Sequence, residues 1–337
     1  MGSRQSPTIL WPVVSSARPR IGVSRCLLGD RVRFDGGHKA EGFLLDVLSA
    51  HVEWVAVCPE VEVGMGLPRE SVRLLASRDG VAAGHEHVRM VGVRSGRDWT
   101  SRMAEWSADR AATLIDLELS GFVLKRDSPS CGLTDVRVHH PRSAASRTGR
   151  GIFAQALVDA CPSLPMEDET RLRDAKVRAH FIERVFAYMR VTRFFRGRWD
   201  VGALMEFHTA HKLQLLSHSR VRYRKLGGLV ADAEMGDRAG LAARYKTVFM
   251  DALAVPSTPG RHADVMLHML GHLKGSVTPA NRQEILQLID AYRSGMVSQA
   301  VPLTSLGHHA RRHRVGYLLG QTYLAPDSRE LTLRSHA

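Results

Sequence analysis

The chain has 337 residues, 44% hydrophobic and 24% charged, so it is long enough for two folded domains and ordinary in composition for a globular protein. Its four cysteines are too few and too widely spaced for a disulfide-stabilised scaffold. No run approaches the ~18 consecutive apolar residues of a membrane span, and "ILWPVV" is too short for a signal peptide. We therefore expect a cytoplasmic protein with free thiols and no membrane contact.

The net charge of +13 is unevenly distributed. Residues 1–165 contain 21 Lys and Arg against 18 Asp and Glu, or +3, whereas residues 166–337 contain 26 against 16, or +10. The change falls near "ACPSLPMEDETRLRD", where two prolines and an acidic cluster follow an apolar segment. These features predict a flexible N-terminus over 1–19, a first domain over 20–165 and a basic second domain over 166–337.

The first half alternates strand-like and helix-like patterns. Short β-branched runs followed by turn residues occur in "RIGVSRCLL", "VEWVAVCPE" and "GFVLKRDSPSCG". Between them, "HKAEGFLLDVLSAH" and "DWTSRMAEWSADRAATLIDLELS" repeat apolar residues at every third or fourth position, as amphipathic helices do. The alternation predicts an α/β, Rossmann-like domain with a parallel sheet, whose functional loops follow the carboxyl ends of the strands.

Three cysteines, Cys26, Cys58 and Cys131, each follow the end of a predicted strand. Because these ends share one edge of a parallel sheet, we expect the thiols to converge on one site. A zinc site would need a fourth ligand and no C-x-x-C pair is present, while iron–sulfur clusters are held by thiolates, usually four of them. The residues alone leave a [4Fe–4S] cluster, zinc, and unrelated buried or redox cysteines open. Cys161 is either a fourth ligand or a small buried thiol.

Polar side chains beside these cysteines are candidates for catalysis and substrate binding. Glu60 follows Cys58 across a stiff proline, so it is a candidate general base for an attacking water, or else a structural carboxylate. Ser128 and Ser130 either hydrogen-bond the substrate or cap the local turn. Asp35 and His38, in "RFDGGHK", are candidate substrate contacts or capping residues. No glycine motif for a nucleotide cofactor is present.

The second half predicts a mainly α-helical domain. Apolar residues recur at helical spacing in "RDAKVRAHFIERVFAYMRVTRFF", "VGALMEFHTAHKLQLLSHS", "GLAARYKTVFMDALA", "GRHADVMLHMLGHLKG" and "PANRQEILQLIDAYRSG". Pro279 suits the first turn of the last of these helices, and Thr278 is placed to cap it.

Histidines are frequent in this basic half. His208 and His211 share one helix face, and His268 and His272 share another, so each pair could bind a metal, pack as polar groups or contact an anionic ligand. The segment "LGHHARRHR" predicts a positive surface over residues 306–314. Such a surface is either solvated or contacts an anionic partner such as RNA.

The motifs "VSRCLLG", "CPEVEVGMGLPRE" and "LKRDSPSCG" resemble, in order, those of the thiouracil desulfidase (TudS) family, over roughly residues 20–162. The segments "FIERVFAY", "FHTAHKLQLLSHS", "HADVMLHMLGHLK" and "GQTYLAP" resemble the YbgA-type domain that often follows it. The resemblance implies that Cys26, Cys58 and Cys131 hold a [4Fe–4S] cluster whose fourth iron binds the sulfur of a thiolated pyrimidine. It also implies a catalytic role for Ser128.

The sequence therefore predicts an iron–sulfur-dependent desulfidase that removes sulfur from a small thiolated nucleobase resembling thiouracil. The alternative is a basic RNA-binding protein, or an enzyme that modifies thiolated RNA, with a structural metal site. The RNA alternative predicts binding that weakens steeply with salt.

Overall fold

The computed structural model describes residues 17–82, 85–141, 143–233 and 237–335. Most of the N-terminus predicted to be flexible, residues 1–16, lies outside these ranges. The described chain forms two compact units. One runs over Ala17–Met189 and includes the segment that begins at Thr332, and the other runs over Arg190–Leu331.

A four-stranded parallel sheet organises the first unit. Its strands are β1 (Arg20–Ser24), β2 (Glu53–Val57), β5 (Gly121–Leu124) and β8 (Met166–Asp168), in the spatial order β2–β1–β5–β8. Every neighbouring pair is parallel. The predicted α/β fold with a parallel sheet is confirmed. β1, which precedes Cys26, lies between β2, which precedes Cys58, and β5, which precedes Cys131.

A second sheet in the same unit was not predicted from the sequence. It contains β3 (Val72–Ala82), β4 (His85–Gly92), β6 (Val136–His139) and β7 (Ser146–Gly149), in the order β4–β3–β6–β7. The β3/β6 pair is parallel, while β3/β4 and β6/β7 are antiparallel. Leu74, Val136 and Val138 are buried on one face, which leaves the alternate side chains of β3 and β6 on the other.

The first unit also contains the helices α1 (Pro59–Glu62), α2 (Thr100–Asp116), α3 (Ile152–Ala160) and most of α4 (Ala175–Arg196). The helix predicted in "HKAEGFLLDVLSAH" is instead a π-helical turn over Phe43–Val47 and a 3-10 turn over Leu48–Ala50. Ser49 contributes to this irregular geometry. Its hydroxyl donates to the carbonyl of Leu44, which also accepts from the backbone N–H of Leu48, and it accepts from the indole of Trp54, so a side chain shares an acceptor of the helical backbone.

The predicted boundary between residues 165 and 166 lies inside the first unit. β8 pairs with β5 beyond that point, and Phe181 and Val185 of α4 are buried in the same core as Ile21. The acidic cluster is part of the fold rather than a linker because cations hold its carboxylates. Lys125 pairs with Glu169, for example.

The second unit is helical, as predicted. It contains α5 (Val201–Ala210), α6 (Lys212–His218), α7 (Arg220–Ala231), α8 (Arg238–Ala254), α9 (Pro259–His272), α10 (Pro279–Arg293), α11 (Ala300–Arg312), α12 (Gly316–Leu319) and the start of α13 (Ser328–Ser335). Pro279 opens α10, and the hydroxyl of Thr278 accepts from the backbone N–H of Asn281 at 3.2 Å. None of the helices in the described ranges is long and apolar enough to cross a lipid bilayer.

Candidate active site

Three thiols face one cavity at the carboxyl edge of the parallel sheet. Cys26 follows β1 in a short 3-10 turn, Cys58 precedes α1 directly after β2, and Cys131 lies in the turn after β5. All three line a cavity of about 520 Å³, within the usual size range for small-molecule sites. Each is free rather than disulfide-bonded. The adjacent positions of β2, β1 and β5 bring together cysteines that are far apart in the sequence.

The turn that carries Cys131 is held by Ser128. The Ser128 hydroxyl accepts from the backbone N–H groups of Ser130 and Cys131, at 3.2 and 3.1 Å, and its carbonyl accepts from Gly132 at 2.8 Å. Ser128 therefore caps this turn, and because it also lines the cavity it is placed to contact a substrate as well.

Burial dominates the acid–base properties of the thiols. It raises the pKa of Cys26 to about 11, with the nearby Cys58 adding to the shift and Arg33 and Lys125 opposing it. It also raises the pKa of Cys58, and that of Cys131 well above its ordinary value. As thiols without a ligand, these groups are therefore protonated at neutral pH, and a metal centre that binds them as thiolates must displace protons.

Glu60 lines the same cavity and is anchored at both carboxylate oxygens. Ser130, whose side chain is fully buried, donates from its hydroxyl to Oε1 at 2.8 Å. Arg69 donates from Nε to Oε2 at 2.9 Å. Arg69 was not predicted as a site residue, although it lies in the "LPRE" segment that closes the second cysteine motif.

Asp35 and His38 do not reach the cavity lining. Oδ1 of Asp35 accepts from the backbone N–H of Gly37 at 2.9 Å, and Nδ1 of His38 accepts from that of Ala40 at 3.2 Å. Both side chains therefore make local turn contacts in an exposed loop. Cys161 ends α3 and is also absent from the lining.

Basic side chains outnumber carboxylates around the cavity. Arg73, Arg137 and His139 project from the exposed face of β3 and β6 and form what we call the cationic wall. Burial lowers the pKa of His139, and Arg73 and Arg137 lower it further. The Nε of Arg73 is buried and has no hydrogen-bond partner within the described residues. The cationic wall was not predicted from the sequence, because the second sheet that carries it was not predicted.

The histidine pairs of the second unit have separate surroundings. The Nδ1 of His208 lies 3.0 Å from the Tyr245 hydroxyl, and Arg190 donates to Nε2 of the fully buried His211 at 3.2 Å. His268 and His272 are ring neighbours, with centroids 5.0 Å apart. Within the described ranges, no three His, Cys, Asp or Glu side chains are arranged to hold a single metal ion.

Comparisons with known proteins agree with the division into two halves. Residues 21–169 match the family model "2-thiouracil desulfurase", and residues 212–328 match a family model of proteins of unknown function, DUF1722. The chain is 31% identical to YbgA of Escherichia coli over 152 residues, which are 45% of this chain and 90% of that protein. The chain belongs to the YbgA family and carries a 2-thiouracil desulfurase domain in its first half.

Two further relatives match about half of the chain. YbbK of Bacillus subtilis is 29% identical over 148 residues, 44% of this chain and 95% of that protein. A solved structure, a [4Fe–4S]-dependent thiouracil desulfidase called TudS, shares 29% identity and covers 47% of this chain and 95% of its own, with a TM-score of 0.37. The two family models and the YbgA relative confirm the resemblance to both families, and with its desulfurase domain the protein is an enzyme.

The donor set around the cavity fits a cluster held by thiolates. Three soft sulfur donors face the cavity, and thiolates are the usual ligands of iron–sulfur clusters. The surrounding cations, including Lys125 and Arg33, offset the negative charge that three thiolates bring.

Proposed function

We propose that the protein is an iron–sulfur-dependent desulfidase that removes the sulfur of a thiolated pyrimidine resembling thiouracil. The observation that carries this proposal is the convergence of Cys26, Cys58 and Cys131 on the cavity that Glu60 also lines. These three thiolates would hold a [4Fe–4S] cluster and leave one iron without a protein ligand. The family model matched by residues 21–169 supports the same activity.

The cluster would supply a soft Lewis acid that polarises the thiocarbonyl bond, because iron held by sulfur prefers a sulfur ligand to a hard oxygen. The chain's own residues perform the rest. The Glu60 carboxylate, held at the cavity by Arg69 and Ser130, accepts a proton from the water that adds to the ring carbon. The C–S bond then breaks and the sulfur leaves as hydrosulfide, so the net change is hydrolysis of C=S to C=O with no change of oxidation state. Ser128 keeps the Cys131 turn in place and can hydrogen-bond the ring.

The cationic wall extends the proposal to the form of the substrate. Arg73, Arg137 and His139 face the same cavity as the thiols, and Arg73 has an unused buried N–H donor among the described contacts. A neutral base would leave the charges of Arg73 and Arg137 without a counter-charge, whereas the phosphate of a thiolated nucleotide would accept hydrogen bonds from these two guanidinium groups. We therefore expect a nucleotide to be a better substrate than the free base.

The experiment is anaerobic purification followed by iron, sulfide and zinc analysis and an assay with 4-thiouracil, 2-thiouracil and their nucleotides. The proposal expects about four irons and four sulfides per chain and release of sulfur from at least one substrate. Zinc in place of iron, or a loaded cluster with no turnover of any of these compounds, would contradict it.

A second candidate is desulfuration of thiolated RNA, which the charge of +10 over residues 166–337 favours. Four residues of the predicted basic surface, His308, Arg311, Arg312 and His313, are exposed. His309 was expected among them but is buried. This candidate expects the intact protein to bind thiolated transfer RNA with an affinity that falls by orders of magnitude between low and moderate salt.

A further inference from the structure

Arg69 connects three parts of the site through one guanidinium group. Its Nε and Nη2 donate to Glu60, and Nη1 and Nη2 each donate to the carbonyl of Val32 at 3.0 Å. Nη1 also donates to the carbonyl of Gly66 at 3.3 Å, and the backbone N–H of Arg69 donates to Phe34 at 3.1 Å. The side chain is only 5% exposed.

These bonds join the helix that follows Cys58 to a loop of the cavity wall. Val32, Arg33 and Phe34 line the cavity, and the Val32 carbonyl also lies 3.8 Å from the sulfur of Cys58. A guanidinium presents five donors in a rigid plane, so bonds to Glu60 and Val32 together determine where both acceptors lie. An ammonium group is a point charge on a flexible stem and cannot impose this geometry.

We propose that Arg69 is a positioning residue of the desulfidase, one that orients the Glu60 carboxylate towards the cavity and fixes it to the loop carrying Arg33. This proposal rests on the proposed role of Glu60 as the base. Arg69 lines the cavity, and all the hydrogen bonds that its side chain makes within the described residues go to Glu60, Val32 and Gly66. It therefore acts on the reaction through Glu60.

The test compares Arg69→Lys, Arg69→Ala, Glu60→Gln and the Glu60→Gln/Arg69→Ala double variant after anaerobic cluster loading. We expect Arg69→Lys to keep the iron content and visible absorption, and to lower kcat by about 10²-fold, the range for a lost general base. KM should change by less than about threefold, because ground-state binding is kept. The double variant should lose no more activity than Glu60→Gln, since the two residues act as a unit.

Two further measurements separate positioning from general stability. Free guanidinium should restore part of the activity of Arg69→Ala, and the control Arg89→Ala, which removes a half-exposed arginine paired with Asp98, should leave kcat unchanged. Full kcat in Arg69→Lys, or losses that multiply in the double variant, would overturn the proposal.

A readout without turnover distinguishes this proposal from the proposed function. If the loaded wild-type enzyme desulfurates none of the compounds, the proposed function fails. The coupling between Arg69 and Glu60 is then tested by unfolding midpoints alone. Arg69→Ala should then lower the midpoint more than the double variant does, because it leaves the Glu60 carboxylate partly buried without its partner. An unchanged midpoint in Arg69→Ala would refute the contact between the two residues.

Discussion

Ser130 and Glu60 are 70 positions apart in the chain, and the Ser130 hydroxyl donates to Oε1 of Glu60 at 2.8 Å. Ser130 directly precedes Cys131, and Glu60 follows Cys58 by two residues. The bond therefore ties the loop of one thiol to the helix that follows another. A contact of this kind keeps the candidate base and the thiols in one geometry.

Ser130→Ala should weaken both stability and turnover. The change leaves one oxygen of Glu60 without its donor, at a cost of about 1–3 kcal/mol for an unsatisfied polar group. We expect a lower denaturation midpoint and a kcat reduced by about tenfold, which corresponds to ~1.4 kcal/mol. The control is Ser101→Ala on the exposed side of α2. A wild-type kcat and a wild-type midpoint in Ser130→Ala would show that the hydrogen bond contributes neither to turnover nor to stability.

Cys131→Ser should lose the cluster and the activity together, while Cys161→Ser keeps both. A serine hydroxyl is a hard ligand that does not replace a thiolate on iron, and Cys161 lies outside the cavity lining. Iron and sulfide analysis with visible absorption checks this prediction. Loss of iron in Cys161→Ser would instead identify that residue as a fourth ligand.

Gly151→Ala should disturb the Cys131 turn without touching a thiol. A Cβ at Gly151 would lie 2.4 Å from the backbone carbonyl of Ser130 and 2.8 Å from the backbone nitrogen of Cys131, so the turn must move. We expect reduced cluster content at equal expression, measured as iron per chain. Gly260→Ala in α9, where a Cβ meets nothing within 4 Å, is the matched control. Equal iron content in both variants would contradict this account.

The second unit should lose stability as the pH falls below about 6.5. Burial lowers the pKa of His208 to about 4 and that of His211 well below its usual value, so the folded state keeps both rings neutral. Above pH ~6.5 the unfolded chain is neutral as well, and stability is at its full value. Below it, only the unfolded chain takes up protons, which costs up to ~1.4 kcal/mol per pH unit for each histidine. For His208 the loss continues down to its folded pKa.

Denaturant unfolding between pH 7.5 and 5, followed by hydrogen exchange in α5 and α8, measures this loss. His208→Asn should reduce the pH slope by up to one proton, whereas the exposed His308→Asn should leave it unchanged. A slope that is the same in His208→Asn and wild type would contradict the assignment.

Arg137→Ala should discriminate between a thiolated nucleotide and the free base. Arg137 is an exposed member of the cationic wall and can hydrogen-bond a phosphate that the free base lacks. We expect KM for the nucleotide to rise by about tenfold, the equivalent of one charge-assisted hydrogen bond, with KM for the base unchanged. Steady-state kinetics with both substrates measures this difference. An equal rise in KM for both substrates would show that Arg137 does not contact the phosphate.

Local sequence patterns determined much of this protein. β-branched runs that end in turn residues located β1, β2 and β5, and helical spacing located α2 and the helices of the second half. A parallel sheet then requires its carboxyl ends to share an edge, so the strand patterns place Cys26, Cys58 and Cys131 at one edge, and the adjacent positions of β2, β1 and β5 bring them to one cavity.

Only the tertiary structure decided which polar groups surround those thiols. Arg69 meets Glu60, and Ser130 reaches it from a different strand connection, through long-range packing that has no periodic signal in the sequence. The cationic wall depends on the parallel pairing of β3 with β6, whose residues are more than 60 positions apart. Pairing between distant strands depends on which of their side chains become buried together when the whole sheet forms. The residues that shape the cavity therefore could not be predicted from any one segment of the sequence.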